Sequence, residues 1–117
     1  MEKRVLKLVI HVASKDRWTV GSKNALNFLR TAGEGETLKV AIVANADAVT
    51  QCTACDRELF DRLKQIVLDG GELFLCANSL RDFDIPETRP PEIFRTVPAA
   101  IRALADMQAD GWVYVRA

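Results

Sequence analysis

Two apolar runs are the feature of this sequence that most constrains its fold. Residues 5–12 and 37–44 are rich in valine, leucine and isoleucine, and each has the length of one strand. Their near-continuous apolar character is typical of strands buried on both faces, as in a parallel sheet covered by helices. Segments with helical spacing follow both runs, so the sequence predicts βαβ units with right-handed crossovers.

The first two helices are predicted from apolar spacing and from residues that begin or end helices. Ser22 can cap a first helix, which Gly33 ends. A second helix is predicted over residues 56–69, where Gly70 and Gly71 supply the backbone freedom that a helix end requires.

The second half of the chain contains shorter elements. It is predicted to form a strand over 72–76, a short helix over 78–83, a weak strand over 92–97 and a final strand over 112–115. Pro98 suits the first turn of a last helix, which Gly111 ends. The inward face of that helix is predicted to carry Val97, Ile101, Leu104, Ala105 and Gln108.

Length and charge limit the class of protein. A chain of 117 residues has the size of one domain, and we expect residues 1–117 to form it. Sixteen basic and sixteen acidic residues balance, which disfavours nucleic acid or an anionic membrane as partner. No apolar stretch approaches the roughly 18 residues of a membrane-spanning helix. Three cysteines without a secretion signal favour reduced thiols and the cytoplasm.

Polar residues follow three of the predicted strands at their carboxyl ends, where open α/β sheets bind ligands. The first strand ends near His11, the second is followed by Asn45 and Asp47, and the third ends in Cys76, with Asn78 beyond it. Cys76 also begins a helix, and free N–H groups and the helix dipole stabilise a thiolate there. The alternative is purely structural: asparagines that cap turns, a core histidine and a cysteine acting as a small hydrophobic residue.

Cys52 and Cys55 form a C-x-x-C pattern just before the second helix, and the spacing of Thr53 and Asp56 is that of a capping box. A redox pair is one interpretation, although a thioredoxin-like motif is expected after the first strand. Three cysteines and one histidine are enough to bind zinc, but their spacing matches no common zinc module. We therefore predict no metal and no cofactor.

Trp18 lies in a segment predicted as a loop, where a large aromatic side chain must cover something. The candidates are the crevice beyond the first strand, a neighbouring subunit and the core of its own domain. Trp112 and Tyr114, on the last strand, are predicted to be core or interface residues.

Four segments together resemble the DsrE/DsrF-like proteins, and in particular their short stand-alone members with a YchN-like fold. These segments are 9–12 (VIHV), 40–49 (VAIVANADAV), 74–80 (FLCANSL) and the ending 97–115, which closes on ADGWVYV. The resemblance implies a three-layer α/β/α sandwich with a parallel five-stranded sheet, assembled as a homotrimer or hexamer. It also implies that Cys76 matches the sulfur-carrying cysteine of the family, with His11 and Asn45 lining the same pocket.

The leading hypothesis is a sulfur carrier or sulfurtransferase. In it, the Cys76 thiolate accepts sulfur from a donor and passes it to an acceptor thiol or protein. His11 would tune protonation. The pocket is expected to be lined by Asn45, Asp47, Asn78, Ser79 and Trp18. Two alternatives stay open: a thiol redox protein that uses Cys52 and Cys55, and a non-catalytic oligomeric module that binds a small ligand.

Overall fold

A computed structural model describes residues 3–53 and 55–117 of the protein. Within them, the strands are β1 (Arg4–Val12), β2 (Glu36–Ala44), β3 (Glu72–Cys76), β4 (Phe94–Val97) and β5 (Val113–Arg116). The helices are α1 (Trp18–Arg30), α2 (Arg57–Leu68), α3 (Ala77–Asp82) and α4 (Ala100–Ala109). Two 3-10 segments, Lys15–Arg17 and Ala46–Thr53, follow β1 and β2.

The five strands form one sheet in the order β4-β3-β2-β1-β5, and every pairing is parallel. The chain steps from β1 to β4 in one direction, and α4 then carries it back across the sheet to β5. Because crossovers between parallel strands are right-handed, this reversal puts α4 on the face opposite α1 and α2. The predicted α/β class, with three layers and a five-stranded parallel sheet, is confirmed.

The two faces of the sheet have cores of different size. The face that packs against α1 and α2, called the α1 face, holds most of the large buried side chains, including Trp18, Ile42 and Leu63. The other, called the α4 face, has a buried cluster of Val9, Ala41, Val43, Cys76, Ala100 and Leu104. One helix covers the α4 face, so its core is thin and Cys76 belongs to it.

The first helix begins earlier than predicted. A 3-10 turn follows β1 directly and leads into α1 at Trp18, so Ser22 lies inside the helix and does not cap it. Ser22 is fully buried, and its Oγ donates to the carbonyl oxygen of Thr19 at 3.1 Å. A serine inside a helix can satisfy its hydroxyl in this way, which is why its capping preference did not mark the boundary.

The second helix is capped by Asp56 and not by Thr53. The Asp56 carboxylate accepts a hydrogen bond from the Leu59 N–H at 2.8 Å, as an N-cap aspartate does. The predicted capping box is therefore wrong, and Cys55 precedes the helix instead of lying in its first turn. Ala54, in the middle of the C-x-x-C pattern, lies outside the described residues.

The predicted inward face of the last helix is also wrong in part. The helix begins at Ala100, after the N-cap Ala99, and its buried residues are Ala100 and Leu104. Ile101 is 74% exposed. Ala105 and Gln108 are likewise exposed, and Val97 belongs to β4, so of the predicted set only Leu104 is an inward residue of the helix. The weak strand at 92–97 is confirmed in shorter form.

The last strand lies at an edge of the sheet and pairs with β1. All four of its residues are exposed, and Val113, Tyr114 and Val115 are large apolar or aromatic residues among them. Among the described residues, none of the helices combines the length and apolar character needed to cross a membrane.

Candidate functional site

Cys76 lies where β3 ends and α3 begins, on the α4 face. Its side chain is 5% exposed, and its Sγ accepts a hydrogen bond from the Ala100 N–H at 3.4 Å. The first N–H groups of a helix lack partners within the helix, and the N-cap Ala99 offers no side chain to accept them. The sulfur of Cys76 therefore takes the place of a capping group for α4.

Hydrogen-bond donors decide the ionisation of Cys76. Burial opposes the charged thiolate, but the backbone N–H groups of Ala100, Ser79 and Asn78 and the Ser79 hydroxyl favour it. The donors outweigh burial, and the pKa of the Cys76 thiol lies below its ordinary value. Cys76 therefore has more thiolate, the nucleophilic form of cysteine, at neutral pH than an ordinary thiol.

Ser79 connects Cys76 to the loop after β2. It is 7% exposed, and its Oγ accepts a hydrogen bond from the Ala46 N–H at 2.8 Å. Because that oxygen already accepts from the backbone, its own proton is free to be donated to Cys76. Ala46 has a φ of 53°, in the left-handed region that alanine rarely adopts. The loop thus holds a strained backbone next to the candidate thiol.

His11 is bonded through both ring nitrogens. Nδ1 lies 2.6 Å from the Tyr114 hydroxyl, and Nε2 lies 2.8 Å from Oδ1 of Asn45. The ring is 9% exposed. Sequence reasoning did not assign Tyr114 to the site, because it gave no sign that β5 pairs with β1. The register, with Tyr114 opposite Val9, brings the phenol to the His11 ring.

His11 and Cys76 lie on the same sheet edge but are not hydrogen-bonded to each other in the described part of the chain. Strand β2 separates β1 from β3, and His11 is not among the hydrogen-bond donors of Cys76 within the described residues. Asn45 follows β2, the strand between them, and its side chain bonds to His11. The side chains predicted to converge therefore share one edge, where Asn45 bonds to His11 and Cys76 ends the next strand.

The remaining predicted pocket residues have structural contacts. Asp47 accepts a hydrogen bond from the Lys15 N–H at 3.0 Å, which joins the two 3-10 segments. The side-chain oxygen of Asn78 accepts from Arg81. Trp18 is 2% exposed, and its indole N–H donates to the Ala48 carbonyl oxygen at 2.8 Å. Trp18 thus packs in the core of the α1 face and supports the loop after β2 from beneath.

Cys52 and Cys55 are free thiols in a less polar setting. Cys52 is 1% exposed, and burial raises the pKa of its thiol far above the ordinary value. Burial also raises the pKa of Cys55, which is only partly buried. Both environments disfavour the thiolate that disulfide exchange needs. The described residues contain no group of three or more His, Cys, Asp or Glu side chains that is placed to hold a metal ion.

A groove of about 290 Å³ runs beside α4. It is lined by Val97, Pro98, Ala99, Arg102, Ala103 and Asp106. Val97 pairs with Cys76 in the sheet, so the groove begins next to the strand that carries the thiol. The side chain of Cys76 does not line it.

The fold and the site together define a class: three-layer α/β proteins with a thiol at the carboxyl edge of a parallel sheet. The model of the DsrE/DsrF-like family matches residues 7–116, and the chain belongs to that family. A comparison with curated proteins finds no match.

Solved structures show the same fold. The chain is similar to a protein of unknown function from Methanobacterium thermoautotrophicum, MTH1491, with a TM-score of 0.81. The two are 19% identical, and the match covers 99% of this chain and 100% of that one. An identity this low shows a common fold, and the role of the site has to be argued from its own geometry.

Proposed function

We propose that this protein handles sulfur and that Cys76 carries a sulfane sulfur as a persulfide. The observation that carries the proposal is the set of donors around the Cys76 sulfur, which lowers the pKa of its thiol despite burial. Membership of the DsrE/DsrF-like family supports the proposal, because the superfamily of that family is related to sulfur relay.

The transfer needs no external oxidant. The Cys76 thiolate attacks the outer sulfur of a persulfide donor R–S–SH, so that a bond forms between Sγ and that sulfur while the S–S bond of the donor breaks. The bonding pair leaves on the donor sulfur as R–S⁻, and Cys76 becomes Cys–S–SH. An acceptor thiolate reverses the sequence by attacking the outer sulfur. Low exposure of Cys76 favours a small donor such as inorganic polysulfide.

Mass spectrometry of the intact protein after incubation with polysulfide tests the proposal. We expect a reducible gain of one sulfur atom on the wild-type protein, located on Cys76 by peptide mapping. Cys52→Ser and Cys55→Ser are matched controls and should load as the wild type does. Loading of Cys76→Ser to the wild-type level would contradict the proposal.

A non-catalytic module that binds a small ligand is the second candidate. The observation that favours it is the 5% exposure of Cys76, which restricts access to the sulfur. This candidate predicts no sulfur gain at any cysteine and slow alkylation of Cys76 in the native protein. A redox role for Cys52 and Cys55 has no comparable support, because burial raises the pKa of both thiols.

We also propose that the protein is a homotrimer or hexamer, since DsrE-family proteins are generally oligomeric. We propose the cytoplasm as its location because three unpaired cysteines suit a reducing compartment. Its exposed apolar side chains on β5 and on α4, which include Val113, Val115 and Ile101, are suited to contacts between subunits. Light scattering over a dilution series should give three or six times the monomer mass of 13.0 kDa. A monomer mass at every concentration would refute this part of the proposal.

A further inference from the structure

The only histidine of the chain is held between a phenol and a carboxamide, in a row that runs towards Cys76. We propose that Tyr114 is a positioning residue: it donates to His11, His11 donates to Asn45, and the Asn45 amide is thereby turned to donate to the outer sulfur of a Cys76 persulfide. The last step rests on the proposed function. The first two steps do not.

The topology places the row across three neighbouring strands. Tyr114 is on β5, His11 on β1, and Asn45 directly follows β2, while Cys76 ends β3, the next strand along. The Asn45 N–H donates to the Val12 carbonyl oxygen at 3.1 Å, so pairing with β1 extends one residue past the end of β2.

Asn45 and Cys76 are neighbours by register. Ala44 pairs with Leu75, and the next residues are Asn45 and Cys76. Cys76 belongs to the cluster of the α4 face, where His11 also lies because side chains alternate along a strand and Val9 is on that face. Since the Asn45 oxygen bonds to His11, the Asn45 side chain lies on that face too, between the imidazole and the sulfur.

Hydrogen-bond chemistry gives the row a direction. The carboxamide oxygen of Asn45 only accepts, so Nε2 of His11 must carry a proton and donate to it. In neutral imidazole Nδ1 then has no proton and accepts from the Tyr114 hydroxyl. With its oxygen turned to β1, Asn45 keeps its Nδ2 protons for an atom on the β3 side. An outer sulfur on Cys76, extended beyond Sγ, is such an atom.

The opposite arrangement requires the Asn45 amide to be rotated from the orientation in the structure. In that arrangement, Nδ1 would donate to the phenol oxygen, Asn45 would be rotated, and its Nδ2 would donate to Nε2. That rotation would present the amide oxygen to the persulfide and leave no Asn45 N–H to donate to its outer sulfur. The two arrangements differ in which nitrogen of His11 is protonated, and this can be measured.

Nitrogen-15 NMR of protein labelled at histidine tests the row directly, since His11 gives one pair of ring signals. We expect the neutral imidazole of His11 in the wild-type protein to show a protonated Nε2 and an unprotonated Nδ1. Tyr114→Phe should move the Nδ1 signal towards the value of a nitrogen without a donor. Val113→Thr, on the same strand but the other face, should leave both signals in place. A proton on Nδ1 in the wild type would overturn the proposal.

The rate of sulfur loading from polysulfide tests the last step. Removing one hydrogen bond to the reacting sulfur corresponds to a loss of about fivefold to tenfold in rate for Asn45→Ala, with a smaller loss for Tyr114→Phe. The pH dependence of Cys76 alkylation should stay unchanged in Tyr114→Phe, because the phenol is not among the donors to the thiol. A merely structural defect would alter both measurements.

The outcomes separate this inference from the proposed function. Wild-type rates in both variants would refute the Asn45 contact while leaving Cys76 as the carrier. A wild-type protein that takes up no sulfur would refute the proposed function and the contact together, and the His11 signals would still decide the direction of the row.

Discussion

Cys76 and Cys52 are both buried, with exposed fractions of 5% and 1%, yet the pKa values of their thiols move in opposite directions. Cys52 lies in the core of the α1 face, where its sulfur faces the Ala48 carbonyl oxygen at 3.8 Å. Cys76 lies at a strand end, where the Ala100 N–H bonds to its sulfur and the backbone N–H groups and hydroxyl nearby favour its thiolate. Burial thus raises the pKa of a thiol only until donors compensate.

Alkylation in the native protein is the strongest test of that comparison. Because the thiolate is the reactive form, Cys76 should react at pH 7 at least about a hundredfold faster than Cys52, each unit of pKa difference being worth a factor of ten. Peptide mapping after a brief exposure to iodoacetamide measures both rates in one sample.

Cys55 is an internal control in the same experiment. It is more exposed than Cys76, but burial raises the pKa of its thiol. As pH falls from 9, the rate of Cys55 should drop at once, and that of Cys76 should hold until pH passes below its lowered pKa. If Cys55 reacts first at pH 7, exposure governs reactivity and the comparison fails.

Two buried serines sharpen the comparison at the level of a single donor. Ser79→Ala removes a hydroxyl that favours the Cys76 thiolate, so the pKa of Cys76 should rise. A hydrogen bond to a charged group is worth about 1.5–3 kcal/mol, which predicts that the midpoint of the pH profile of Cys76 alkylation rises by about one pH unit or more.

Ser22→Ala is the matched control for that prediction. Ser22 is as deeply buried, but its hydroxyl bonds to Thr19 and Arg62 in α1 and α2, far from the thiol in the fold. We expect it to leave the alkylation profile of Cys76 unchanged. Equal profiles for Ser79→Ala and the wild type would show that the backbone donors alone control the thiol.

The sequence predicted the regions of strong local signal better than the contacts between distant segments. The apolar runs of β1 and β2 and the glycines after α2 mark their elements in the chain itself. The placement of Cys76 between a strand and a helix was also visible. The Ala100 N–H that bonds to its sulfur was not, because only the fold brings the start of α4 over the end of β3.

Tyr114 shows the same limit at the other end of the site. Its contact with His11 depends on β5 returning to pair with β1 across 103 positions of sequence. Apolar spacing also misplaced the face of α4, because Ile101 fits a helical stripe but is 74% exposed. The apolar pattern of one helix or strand does not show which other element it packs against. The site is formed by such contacts between elements.

The smallest effect is expected from a change in the backbone of the loop after β2, and it is an effect on stability. Ala46 has a φ of 53°, a conformation that costs an alanine roughly 1–2 kcal/mol and a glycine almost nothing. Against this, glycine loses about 0.5–1 kcal/mol more in conformational entropy on folding. Ala46→Gly should therefore stabilise the protein by a few tenths of a kcal/mol up to about 1 kcal/mol, measured by urea unfolding.

Ala48→Gly separates relief of strain from any general effect of glycine in this loop. Ala48 is fully buried in the same 3-10 segment and has no positive φ, so the substitution should destabilise the protein by about 1 kcal/mol. The Ala46 N–H that bonds to Ser79 is retained in Ala46→Gly, and alkylation of Cys76 should be unchanged. If Ala46→Gly instead lowers stability and slows alkylation, the strained conformation itself holds Ser79 against the thiol, and the donors of Cys76 depend on the loop after β2.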